Sequence, residues 1–190
     1  KGINRIYWGF DSKGFRMPGR PVAKEGEEKG GGPVVFPGVY TLKMKYKEAE
    51  SSTRLRVDVD NRLTFDEEAM LENRKTLKHF MIQVDELNKA LDQLKTIEEK
   101  IGIVNKLMPK ESNETIDTLK IIGTEIDKSI KEFNELMYGP KDVQGIYRNP
   151  KQITSKLWPA FSGLFAVTPL NSNQKFAIEQ AEKTMLEFTK

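Results

Sequence analysis

The chain has 190 residues, enough for one ordinary domain or two small ones. Its net charge of +3 gives no ground for a nucleic-acid partner. The absence of cysteine excludes disulfides, thiolate metal sites and cysteine nucleophiles together. No apolar run approaches the ~18 residues that a membrane span needs. The charge is uneven: residues 1–62 hold 13 Lys+Arg against 8 Asp+Glu, a balance of +5, whereas residues 63–190 hold 18 against 20, a balance of −2. The basic balance of the first third reads as a solvated strand face. The chain starts at Lys1 without an initiator Met, which leads us to expect that a leader or an upstream domain has been removed.

Residues 3–10 are rich in Ile, Tyr, Trp and Phe and end at Asp11-Ser12-Lys13-Gly14, so they are predicted to form a strand closed by a turn. Residues 18–38 are crowded with Gly and Pro and read as a long loop, with a tip at residues 24–32 open to proteolysis. Tyr40, Leu42, Met44 and Tyr46 alternate with Thr41, Lys43 and Lys45. Leu55, Val57 and Val59 alternate with Arg54, Arg56 and Asp58. Period two on both runs predicts an antiparallel hairpin joined by residues 47–53, with one apolar and one charged face.

At Arg62 the period changes. Thr64 and Glu67 fit a capping box. Leu77, Phe80, Met81, Val84, Leu87, Leu91, Leu94, Ile97, Ile101, Val104 and Leu107 recur every three or four positions until Pro109, which predicts a helix over 65–108. A second helix is predicted over 112–138, with Ile116, Leu119, Ile122, Ile126, Ile130, Phe133 and Met137 on one face and Gly139-Pro140 as its stop. The short link at 106–111 makes the two antiparallel. Residues 142–150 read as loop. Residues 153–165 read as a helical fragment interrupted by Pro159 and Gly163. A final helix is predicted over 171–189, with Phe176, Ala177, Ala181, Met185 and Phe188 inward. The predicted fold class is α+β. A small antiparallel immunoglobulin-like β-sandwich (residues 1–62) precedes an antiparallel three- to four-helix bundle with a long helical hairpin (residues 63–190).

The residues that chemistry would need are sparse. His79 is the only histidine and has no H-E-x-x-H context, so it reads as a surface residue. Asp58, Asp60, Asp66, Glu67 and Glu68 lack the spacing and central Gly of a calcium loop, and read as solvated charge and helix capping. There is no G-x-S-x-G elbow and no P-loop, and Gly30-Gly31-Gly32-Pro33 has neither the Lys nor the following helix of a phosphate cradle. Neither a catalytic residue nor a cofactor or metal ligand is assigned. Tyr7, Trp8, Phe10, Phe15 and Phe36 gather around the first strand, where a small sheet needs most of them as core. Tyr7, Phe15 and Phe36 are the candidate ligand-facing residues, since strand alternation turns Tyr7 away from Trp8 and Phe10.

The order of these motifs resembles the C-terminal region of bacterial sortilin-like, Asp-box β-propeller proteins that are often labelled glycosyl-hydrolase-like. The residues that carry it run from Asn4 to Gly14, through Pro37-Gly38-Val39-Tyr40-Thr41-Leu42 and Leu55-Arg56-Val57, to Asp60-Asn61-Arg62, with Thr168-Pro169 late in the chain. The N-x-x-x-W, D-x-x-G and P-G-x-Y series also looks like the immunoglobulin-like domain of flagellar hook-capping proteins. Asp60-Asn61-Arg62 departs from the Asp-Pro-Arg usual in the first group. The resemblance implies a non-catalytic, exported C-terminal module, periplasmic, secreted or at the cell surface, next to an upstream propeller domain. The chain itself would then be no enzyme. The alternatives are a carbohydrate-binding module using the first-strand aromatics, and a module that pairs with another protein or a second copy through the helical hairpin.

Overall fold

The computed structural model describes residues 2–3, 5–24, 31–109, 113–140, 143, 145 and 149–188. The link at 110–112, most of the 24–32 tip expected to be open to proteolysis and most of the loop expected over 142–150 lie outside them. Among the described residues, four helices accompany two small antiparallel sheets, each of two strands: β1 (Asp11–Lys13) with β2 (Gly31–Val34), and β3 (Gly38–Tyr46) with β4 (Ala49–Val57). The helices are α1 (Glu67–Leu107), α2 (Glu114–Tyr138), α3 (Ile153–Leu164) and α4 (Ser172–Phe188). The expected sandwich is present only as these two ribbons. No strand of one packs against a strand of the other.

Several local expectations are corrected. The described residues of that first stretch, Ile3 and 5–10, form no strand: they are irregular, and the strand lies one step later, at the segment expected to be a turn. Phe10 adopts φ 55°, which breaks an extended run, and the Trp8 indole folds back to donate to the Asp11 carbonyl at 2.9 Å. Part of the Gly/Pro-rich stretch is strand β2. Gly32 is required there, because a Cβ would collide with the carbonyls of Ser12 and Lys13 on β1. The β3–β4 turn is only Lys47-Glu48, so residues 49–53 belong to β4 rather than to a connection. Lys47 sits at φ 54°, the sign that primed hairpin turns need at their first position.

Helix α1 starts two residues later than a Thr64 cap would set. Asp66 is the N-cap, and its side chain accepts from the Ala69 amide at 2.9 Å. Tertiary structure selects this start: the Asp66 amide donates to the Val167 carbonyl, and the buried Asn73 donates to the carbonyls of Ala166 and Thr168. The first turns of α1 thereby hold the connection between α3 and α4. At the other end of the bundle, Thr154 and Gln152 donate to the carbonyls of Met137 and Tyr138, tying the start of α3 to the end of α2. Gly139 ends α2 at φ 83°, as its place in the sequence requires.

Helix α3 is continuous through Pro159. A helix-interior Pro costs about 3 kcal/mol, which burial of Leu157, Ala160, Phe161 and Leu164 on either side of it offsets. In α4 the buried residues are Ile178, Ala181, Thr184 and Met185, whereas Phe176, expected inward, is exposed. Helices α3 and α1 pack against α4, and Ile178, Ala181 and Met185 join their core. The core joins Leu77, Phe80, Val84 and Leu87 of α1 to Met137, Leu157, Phe161, Leu164 and Met185. Phe161 is its aromatic centre, 4.8 Å edge-on to Phe80 and 4.6 Å stacked on Phe15.

Candidate functional site

Two surfaces combine aromatic and charged side chains in ways that the core does not use. The first is the β3–β4 ribbon. Its register pairs Tyr40 with Leu55, Leu42 with Thr53, Met44 with Ser51 and Tyr46 with Ala49 on one face. The other face pairs Val39 with Arg56, Thr41 with Arg54, Lys43 with Ser52 and Lys45 with Glu50. One face is therefore apolar at its base and along β3, and the other carries four cations against one carboxylate.

The base of the apolar face is covered. The Trp8 ring lies 5.6 Å edge-on to Tyr40 and 5.2 Å from Phe10, and the Tyr40 hydroxyl donates to the Phe36 carbonyl at 2.6 Å. The far half is not: Leu42, Met44 and Tyr46 are exposed, and among the described residues no helix or other strand touches β3 or β4. A two-stranded ribbon in this state has two unpaired edges and an open apolar face. On the cationic face Arg56 pairs with Asp58 at 2.8 Å, while Arg62 and Asp60 pair beyond the strand. Arg62 holds the Asp60 carboxyl below the usual range by hydrogen bonding. These two aspartates are engaged with arginines, while Asp66 caps α1 and Glu67 and Glu68 lie in its first turn.

The second surface is a cleft of about 940 Å³ between residues 15–23, α1 and α3. Phe15, Phe161, Phe165 and Trp158 supply its apolar wall, and Asp85 and Arg20 stand among its polar residues. The segment that forms its rim is fastened to α1. Arg16 donates to both carboxylate oxygens of Asp92, and Asn88 donates to the Arg16 carbonyl at 2.7 Å. Hydrogen bonding to Arg16 lowers the Asp92 pKa, and the same bond raises that of Arg16. Tyr138, beside this clasp, is pushed up by burial. Arg74 ties β2 to the bundle by donating to the carbonyls of Val34 and Leu164, and its own pKa is lowered by desolvation.

The three candidate ligand-facing residues fall in separate surroundings. Tyr7 is 80% exposed and accepts a hydrogen bond from Arg5. Phe15 packs on the helical core and lines the cleft. Phe36 is half-buried and offers its carbonyl to Tyr40. Of the three, Phe15 is the one that lines the cleft. Trp158 of α3 is 59% exposed at the cleft. Its place at i+1 from the fully buried Leu157 is the signal that it faces another way. No sequence signal links Arg16 to Asp92. His79 is exposed, and no group of three or more metal-capable side chains lies together among the described residues. No helix among them is long and apolar enough to cross a membrane. No described protein family, curated protein or solved structure matches the chain.

Proposed function

We propose that the chain is a non-catalytic structural and interaction module, the exported C-terminal part of a larger β-propeller protein of the glycosyl-hydrolase-like kind. The β3–β4 ribbon supports this reading more than any other feature. A period-two apolar face that ends in open solvent suits a strand pair evolved to be covered by further β-structure, as in an immunoglobulin-like sandwich braced against a propeller. The four-helix end of the bundle, with its buried core around Phe80 and Phe161, then serves as the rigid base from which the ribbon is presented. Export, a periplasmic, secreted or cell-surface location and the propeller neighbour rest on the sequence resemblance alone.

Hydrogen exchange on this chain, alone and within the longer polypeptide expected to contain it, tests the reading. Amides of residues 38–57 should gain protection in the longer protein. Unchanged exchange there, or saturable glycoside hydrolysis by this chain that is lost on changing one carboxylate, overturns it.

Carbohydrate binding is the second reading, and the cleft favours it through a residue outside the original candidates. An exposed Trp beside Phe15, with a carboxylate and a guanidinium at hand, offers a ring face and hydroxyl partners to a neutral sugar. Titrating oligosaccharides against the Trp158→Phe variant and the unaltered chain separates the cleft from Trp8. A fluorescence change present only in the unaltered chain supports a sugar in the cleft, and none in either removes this reading.

A further inference from the structure

The far end of the α1–α2 hairpin is unfinished. Helix α1 spans about 62 Å at 1.5 Å per residue, yet none of its buried residues lies beyond Asn88. In α2 the buried positions are Gly123, Ile130 and Met137. The core cluster, with α3 and α4, takes its α1 members from Leu77 to Leu87 and its buried α2 member from Met137. Arg16 still holds α1 at Asp92, and Phe133 of α2 still meets Phe188 of α4. Farther out, among the described elements, the two long helices have only each other, and two helices cannot close an apolar stripe.

Their register is set at Gly123, where a Cβ would stand 3.4 Å from Asn105 Oδ1 and 3.9 Å from the Ile101 side chain. Ile97 and Val104 lie four before and three after Ile101. Leu119 and Ile126 stand in the same relation to Gly123. Each pair is thus turned by about 50° in the same rotational sense from its helix's contact position. In antiparallel helices the same rotation leads to the same side of the hairpin. Ile97, Val104, Leu119 and Ile126 therefore line one face, which Ile122 widens. All five are 38–52% exposed. Soluble monomers seldom leave a run of large aliphatic side chains this long without a partner.

We infer that this face is covered by a second copy of the chain, giving a four-helix bundle in which α1 of one copy lies along α2 of the other. Charge selects the second copy over an unrelated helix. Lys100 borders the apolar row on α1 and Glu125 borders it on α2, at nearly the same height because Ile101 and Gly123 are in register. Neither takes part in an ion pair among the described residues. A two-fold axis parallel to the helices keeps heights and brings Lys100 of each copy level with Glu125 of the other, so the surface complements itself. This inference is independent of what covers the β ribbon.

Sedimentation equilibrium on the full chain tests it. The expected mass is twice 21.8 kDa in the micromolar range. Val104→Lys combined with Ile122→Lys should return the mass to that of one chain, with helical circular dichroism and melting temperature kept, since both positions are exposed. Lys100→Glu or Glu125→Lys alone should raise the dissociation constant about three- to tenfold. The two together should restore it to within about twofold. A single-chain mass up to about 100 μM, a dimer indifferent to these changes, or a mass that climbs without reaching a plateau overturns the inference.

Discussion

Arg16 grips Asp92 across 76 positions of sequence, through two hydrogen bonds of 3.0 and 2.7 Å. With Asn88 holding the Arg16 carbonyl, this clasp fastens the segment after β1 to the middle of α1 and sets one wall of the cleft. The geometry is the two-pronged one that suits guanidinium and carboxylate.

Asp92→Asn should lower stability by about 0.5–1 kcal/mol at pH 7, an amount limited by solvent screening of the half-exposed carboxylate. Its pH dependence follows from the direction of the shift. The folded pKa of Asp92 lies below its unfolded value of about 3.9. The contribution is therefore complete above that value and disappears as the pH falls through the folded one. Urea unfolding of both proteins between about pH 2 and 7 should show the difference shrinking at the acid end. A difference that grows as the pH falls contradicts the assignment.

Phe161 joins the N-terminal segment to the helices by meeting both Phe15 and Phe80. Phe161→Ala should cost about 3–5 kcal/mol and lower the melting temperature by about 10 °C. Phe176→Ala, at an exposed position of α4, should change stability by under about 0.5 kcal/mol. Equal losses from the two would mean that the stripe of α4 is turned the other way.

Lys47 occupies a left-handed conformation that disfavours a side chain bearing a Cβ by about 1 kcal/mol. Lys47→Gly should stabilise the β3–β4 turn by about that amount. Because the ribbon touches no helix, the gain should appear as slower amide exchange in residues 38–57 and leave the thermal unfolding of the helices unchanged. A rise in the melting temperature of the whole chain would couple the ribbon to the bundle.

Period carried the helices and the long hairpin into plain view. Leu77, Phe80, Val84 and Leu87 lie on the apolar stripe that spacing predicts and are buried, and Gly139 stops α2. The start of α1 differs from the predicted one because the Thr64 and Glu67 pattern is local, whereas Asp66 is chosen by a hydrogen bond to Val167 about a hundred residues on. Strand β2 was hidden because Gly-Gly-Pro-Val has no alternation of its own and pairs only where β1 lets its carbonyls approach Gly32. Periodicity reports which positions are apolar but not whether anything covers them. Leu42, Met44, Val104 and Ile122 carry the same sequence signal as core residues, yet they are exposed. The cleft has no signal in the sequence, because Phe15, Arg16, Asp92 and Trp158 meet only once the chain has folded.

Native-state hydrogen exchange of the chain by itself probes the ribbon most directly. Amides of β3 and β4 should open at a free energy well below that of α1 between Leu77 and Leu87, because a bare strand pair has only its own hydrogen bonds and Trp8 to hold it. Exchange of both regions at one common, global free energy would show that the apolar side of the ribbon is already closed within these residues, and would remove the reason to look for whatever closes it.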